Sequence, residues 1–202
     1  MTFTPLEIAG IVFVLVNVIL AVMENIWTWP TGIVGVLLYL VINWRAHLYA
    51  NAILQILYFV LSIHGWYEWL HGGRHRDERE VTAATPKVWA VTIGGGIALT
   101  LPIWYFLVRS GSSSSPVMDA TTTAYSLVGQ VLLNLKYISN WIIWIAVDVV
   151  TVVMYAQQRL YASGILYIIL AGWCVVGYFG WRRSLATLAA RANPAARQGS
   201  PY

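Results

Sequence analysis

Charge is what this chain has least of. Its 202 residues carry 12 Lys and Arg and 8 Asp and Glu, so 10% of the chain is charged, against about 25% in an ordinary soluble domain. Such a small charged set cannot clothe a globule of this size in wetted side chains, and with 59% of residues hydrophobic the expected solvent is lipid. Cysteine is almost missing too: Cys174 stands alone in an apolar run, which excludes a disulfide framework and leaves a small core residue. "GSSSSP", Gly111 to Pro116, lacks the lysine of a phosphate-binding loop, so this chain alone does not drive transport with ATP. His47, His64, His71 and His75 have no metal-ligand spacing, and no serine has a placed base, so no enzyme pattern emerges. No cofactor is called for. The opening "MTFTPLEIAG" puts Glu7 where a secretory signal would be basic, and the first apolar segment is expected to be retained. The net charge of +4 comes without a basic face bearing polar reading residues, which argues against a nucleic-acid partner.

What is present points to membrane helices. The 11 tryptophans suit the headgroup level, and the 16 glycines let helices approach closely. Seven apolar segments can be marked: Leu6 to Met23, Thr31 to Asn43, Leu48 to Trp69, Val88 to Val108, Ala124 to Leu135, Trp141 to Ala156 and Leu160 to Trp181. A crossing needs about 20 residues. The second, fifth and sixth fall short unless they borrow polar or aromatic flanks, which marks them as shielded helices or site walls. His71 to Lys87 reads as a charged loop and Arg109 to Thr123 as a serine-threonine loop. The last helix is expected to run briefly past Arg182 and fray at Asn193-Pro194.

Basic residues divide unevenly between the two sides. Lys136, Arg74, Arg76, Arg79, Lys87, Arg182, Arg183, Arg191 and Arg197 fall on one side, and Arg45, Arg109 and Arg159 on the other. This predicts an outer amino terminus and a cytoplasmic carboxy terminus. The chain also repeats itself. The shift that lays "LYANAILQI", Leu48 to Ile56, on "LYASGILYI", Leu160 to Ile168, also brings Trp29 onto Trp141, Gly65 onto Gly177 and Trp69 onto Trp181. The expected fold is therefore an all-α membrane protein of seven transmembrane helices, with two parallel three-helix repeats around a single linking helix in a 3+1+3 plan. In residue terms, 1–70 is the first repeat, 71–123 the loop, linking helix and outer loop, 124–182 the second repeat and 183–202 a cytoplasmic tail.

"WPTGIVG", Trp29 to Gly35, starts a helix at Pro30, and its glycines permit either close packing or hinge bending. "NWIIWIAVDVV", Asn140 to Val150, puts Trp141, Trp144 and Asp148 near one helical face. A carboxylate in mid-membrane costs roughly 3 kcal/mol, so Asp148 should face protein or water, either as a substrate-side acid or as a structural one; its first-repeat counterpart is the apolar Val36. Gln55, Gln130 and Asn140 offer amides that suit hydroxyls or a carboxamide, or that join helices. Trp141, Trp144, Tyr39, Tyr58, Tyr155 and Tyr167 offer stacking faces or core packing. Trp69 and Trp181 close their helices as expected interfacial anchors.

Taken together, "WPTGIVG", "LQILYFVLSIHGWYEW" and above all "GQVLLNLKYISNWIIWIAVDVVTVVMYAQQRLYASGILYIILAGWCVVGYFGW" resemble the PnuC family of bacterial vitamin transporters, best known for nicotinamide riboside uptake. The resemblance spans both repeats, with Ser139 where the family carries an acid. It implies a homotrimer in the inner membrane, facilitated diffusion of a nucleoside-like vitamin, and trapping by a cytoplasmic kinase. By the same resemblance Gln130, Asn140, Trp141, Trp144 and Asp148 belong to the binding region, and Gln55 and Trp69 match the corresponding first-half motif; Tyr155 is placed at the candidate site for its aromatic face alone. Thiamine or riboflavin, or binding without transport, are the alternatives.

Overall fold

In lipid a backbone must satisfy its own hydrogen bonds, and all seven apolar segments do so as α-helices. The computed structural model describes residues 4–73 and 77–192. Its helices are α1 (Pro5–Val22), α2 (Thr28–Arg45), α3 (Tyr49–His71), α4 (Pro86–Ser110), α5 (Pro116–Asn134), α6 (Ser139–Gln157) and α7 (Tyr161–Ala192). By length and composition, α1, α4, α6 and most of α7 can each cross a bilayer, so the chain is a multi-pass membrane protein.

The helix ends carry ordinary local signals. Thr4 and Glu7 form a reciprocal capping box at the start of α1, and Thr85 followed by Pro86 opens α4. Gly111, at φ 63°, ends α4 in the left-handed conformation. The expected serine-threonine loop from Arg109 to Thr123 contracts to Gly111–Ser115. Its second half is helical because Pro116 can serve as a first helical residue, while Thr121 and Thr122 return their hydroxyl protons to the Val117 and Met118 carbonyls. The short second segment likewise gains Thr28 to Pro30 in front and Trp44 and Arg45 behind. Arg74, His75, Arg76, Arg197 and the Asn193-Pro194 helix end lie outside the described residues.

Packing order defines the core. Successive contacts run α1 to α2 to α3, across to α5, then α6 to α7 and back to α1, which closes a six-helix ring; α4 packs against α5 from outside it. Four tryptophans fill one end of this ring. Trp29 meets Trp69 edge-on at 5.3 Å, Trp141 meets Trp181 edge-on at 5.4 Å, and Trp69 lies 5.9 Å from Trp181. The Trp69 indole N–H donates to the Leu133 carbonyl and that of Trp181 to the Ala21 carbonyl, each at 3.1 Å, so both rings reach across from one half of the chain to the other. Interfacial anchoring of Trp69 and Trp181 is thus overturned: at 2% and 0% exposed they are core, since their one polar atom finds a buried carbonyl.

A strap covers this tryptophan end. The Arg79 N–H bonds the Trp69 carbonyl, the Arg79 guanidinium pairs with Glu68 at 2.6 Å, and Val81 is buried against the rings. Thr82 donates its N–H to the Lys136 carbonyl and accepts from the Ile138 N–H, both at 3.0 Å. Beneath it the Lys136 ammonium sits 4.4 Å over the Trp69 ring and 3.9 Å from Glu24, and burial pushes its pKa down. Thr82→Pro removes one of these donors and should lower stability in detergent by about 1 kcal/mol, read as a reduced melting temperature.

Candidate functional site

Inside the ring, on the far side of Trp29 from the strap, lies a cavity of about 360 Å³. Its wall is assembled from five helices: Asn17 from α1; Thr28, Trp29, Gly32, Gly35, Val36 and Tyr39 from α2; Gln55, Tyr58 and Ser62 from α3; Gln130 and Leu133 from α5; and Leu166, Tyr167 and Leu170 from α7. Helix α6 contributes nothing to it. Aromatic faces and amides converge here in an otherwise apolar interior, the usual make-up of a small-molecule site.

Two of the eight residues expected at the site, Gln55 and Gln130, line this cavity. Gln130 also donates to Asn134 Oδ1 at 3.1 Å, and Asn134 in turn donates to the Leu61 carbonyl at 2.8 Å, so one amide pair both borders the cavity and ties α5 to α3. The Gln55 side chain has no hydrogen bond among the described residues. Trp69 and Trp141 stand in the tryptophan core. Asn140, wholly buried, gives its amide proton to the Tyr137 carbonyl at 2.7 Å. Asp148 is 4% exposed, with the Cys174 thiol 3.7 Å from its carboxylate between α6 and α7. Tyr155 stacks obliquely on Tyr167 at 5.5 Å and so backs the wall without lining it.

The cavity is one-sided for a steric reason. On α6, Trp144 lays its indole against α5 at Gly129, where an added Cβ would come within 3.3 Å of the ring. Under the shift that sets Trp29 on Trp141, the counterparts in the first half of the chain exchange those sizes: Gly32 stands for Trp144 and Asn17 for Gly129. An amide is much smaller than an indole, so room is left in the first half that the second half fills. Asn17, Thr28, Gly32 and Ser62 therefore line the cavity without having been expected there. The available signal is the Gly-for-Trp exchange between positions matched by that shift.

A second, open cleft of about 670 Å³ lies beyond the strap, among Glu24, Arg79, Lys136, Arg183 and Arg191. It belongs to the opposite face of the tryptophan core.

A closed ring of helices around a polar and aromatic compartment defines a multi-pass membrane protein built to hold a small solute within its bundle. The chain belongs to the nicotinamide mononucleotide transporter family, whose model matches residues 4–183. Membership makes it a transporter rather than an enzyme, and among the described residues no group of three His, Cys, Asp or Glu could hold a metal ion. It is 28% identical over 215 residues to the nicotinamide riboside transporter PnuC of Escherichia coli (strain K12), covering 93% of this chain and 89% of that protein. With the nicotinamide riboside transporter PnuC of Neisseria mucosa it shares 26% identity over 165 residues, covering 75% and 62%. A crystal structure of the vitamin B3 transporter PnuC superimposes with a TM-score of 0.71 at 23% identity, covering 89% of this chain and 81% of that one, which establishes the likeness of fold.

Proposed function

We propose that this protein carries nicotinamide riboside across the bacterial inner membrane by facilitated diffusion, and that a cytoplasmic kinase traps the product. The observation that carries the reading is the cavity itself: the Gln55 amide, without a partner among the described residues, and the Gln130 amide line one compartment with Tyr39, Tyr58 and Tyr167. Amides match ribose hydroxyls and a carboxamide, and aromatic faces match a cationic pyridinium ring. Gln55 and Gln130 contact the ligand directly, while Trp69, Asn140, Trp141, Trp144, Asp148 and Tyr155 shape the compartment from behind. The relatives named as nicotinamide riboside transporters support this choice of solute.

The architecture of the carrier is two parallel three-helix repeats with α4 between them, each helix crossing once. Supporting this are backbone and packing features that recur at equivalent places in the two halves. The left-handed non-glycine residues pair Glu24 with Lys136 and His47 with Arg159, and the equivalent donors Trp69 and Trp181 find Leu133 and Ala21. Alternating access is a relative movement of the two repeats about the tryptophan core. The amino terminus lies outside and the carboxy terminus inside, by the excess of lysine and arginine on the strap side. The carrier works as a homotrimer in which each protomer has its own path.

Calorimetry on the purified protein with nicotinamide riboside, thiamine and riboflavin tests the solute. Nicotinamide riboside is expected to bind saturably, and Gln55→Ala to weaken it by roughly tenfold, the value of about one lost hydrogen bond. Binding of thiamine or riboflavin alone would transfer the proposal to that vitamin. Uptake into liposomes that stopped when ion gradients were removed would end the passive mechanism.

A further inference from the structure

We infer that Asn17 is a specificity-determining residue, whose side-chain oxygen reads a primary amide on the ring of the transported ligand. The inference rests on the proposed riboside transport and assigns a selectivity to it.

The Asn17 amide is held in one orientation. Its Nδ2 donates to the Thr28 carbonyl at 2.6 Å and to the Thr28 hydroxyl oxygen at 3.0 Å, while that hydroxyl donates back to the Asn17 carbonyl at 3.0 Å. A carbonyl can only accept, so the nitrogen must face Thr28 and Oδ1 must face away. Thr28 is 1% exposed, which shields this lock from water. Both residues line the cavity, and Asn17 Oδ1 has no donor among the described residues. Gly32 completes the arrangement, since a Cβ there would lie 2.6 Å from Asn17 Nδ2 and force the amide out of place.

This acceptor has no counterpart in the second half. Gly129 is the equivalent of Asn17 there, and the Trp144 indole fills the space that Gly32 leaves open in the first half. A planar ring of the ligand seats in that vacated space, beside the one fixed oxygen. A fixed oxygen without a donor favours an N–H group, so a ring carrying a primary carboxamide satisfies it. A ring carrying a carboxylate sets oxygen against oxygen and is repelled, and a methyl ketone supplies no proton.

Binding of three ribosides, measured by calorimetry on the full chain in detergent, tests this. They share a pyridinium ring bearing a carboxamide, a carboxylate or a methyl ketone. The unsubstituted protein should prefer the carboxamide over the ketone by about tenfold and over the carboxylate by about 100-fold. In Asn17→Leu and Asn17→Ala both preferences should shrink to less than about threefold, whatever the change in absolute affinity. Two variants guard against one that fails to fold, with monodispersity checked by size exclusion. Unchanged preferences in either folded variant would overturn the role of Asn17 and leave the transport reading standing. If the unsubstituted protein bound none of the three, the transport reading itself would fall.

Discussion

Replacing Asn17 by glycine and Gly32 by tryptophan together should abolish riboside binding while the bundle still assembles. The pair copies Gly129 and Trp144, a combination the second half of this chain already packs, with the Trp144 indole 3.3 Å from where a Gly129 Cβ would stand. Gly32→Trp alone would be uninformative, because its Cβ would meet the Asn17 amide at 2.6 Å and strain the α1–α2 contact. With Asn17→Gly removing that obstacle, the new indole enters the 360 Å³ cavity instead. Affinity should fall by more than about 100-fold, since overfilled sites exclude ligand rather than weaken single contacts. Calorimetry measures the loss, and an unchanged elution volume and helical circular dichroism spectrum show that the fold survives. Retained binding would mean that the ligand sits somewhere other than beside Gly32.

Gly65→Ala is expected to be the most damaging single change to stability. A methyl at this position would overlap the six-membered ring of Trp29 and come within 2.7 Å of Asn134 Oδ1. Neither can retreat: Trp29 is packed edge-on against Trp69, and Asn134 is bonded to Leu61 and Gln130. Overpacking of this kind costs about 1–3 kcal/mol, and with the Asn134 bonds displaced the upper end is expected. Gly177→Ala, whose Cβ would meet the Trp141 ring at 2.7 Å, should behave alike. Gly94→Ala on α4 meets open space and serves as the control, with a slight gain from helix propensity. Thermal melting in detergent separates the three, and a Gly65→Ala protein as stable as Gly94→Ala would refute the packing account.

Segment identity was readable in advance, because a run of apolar residues in lipid has one way to satisfy its backbone. Ends were less readable. Thr121 and Thr122 look like loop residues in a string, and only their bonds to carbonyls one turn earlier absorb their polarity. Tryptophan roles are not legible in the string for a related reason. An indole is equally at home at a headgroup or in a core that offers one acceptor, and the acceptors for Trp69 and Trp181 lie 64 and 160 residues away in the chain.

By itself the amino-acid order determined the solvent, the seven helices and the paired landmarks of the two halves, since these follow from local hydropathy and from matching letters. The tertiary structure alone decided where the room is. A cavity is the difference between the side chains that several helices bring together and the space between their axes. Whether Gly32 leaves a void or Trp144 fills one depends on what Asn17 and Gly129 present from the neighbouring helix. Gln55 and Gln130, far apart in the chain, face a common space for the same reason: α3 and α5 meet in the closed ring.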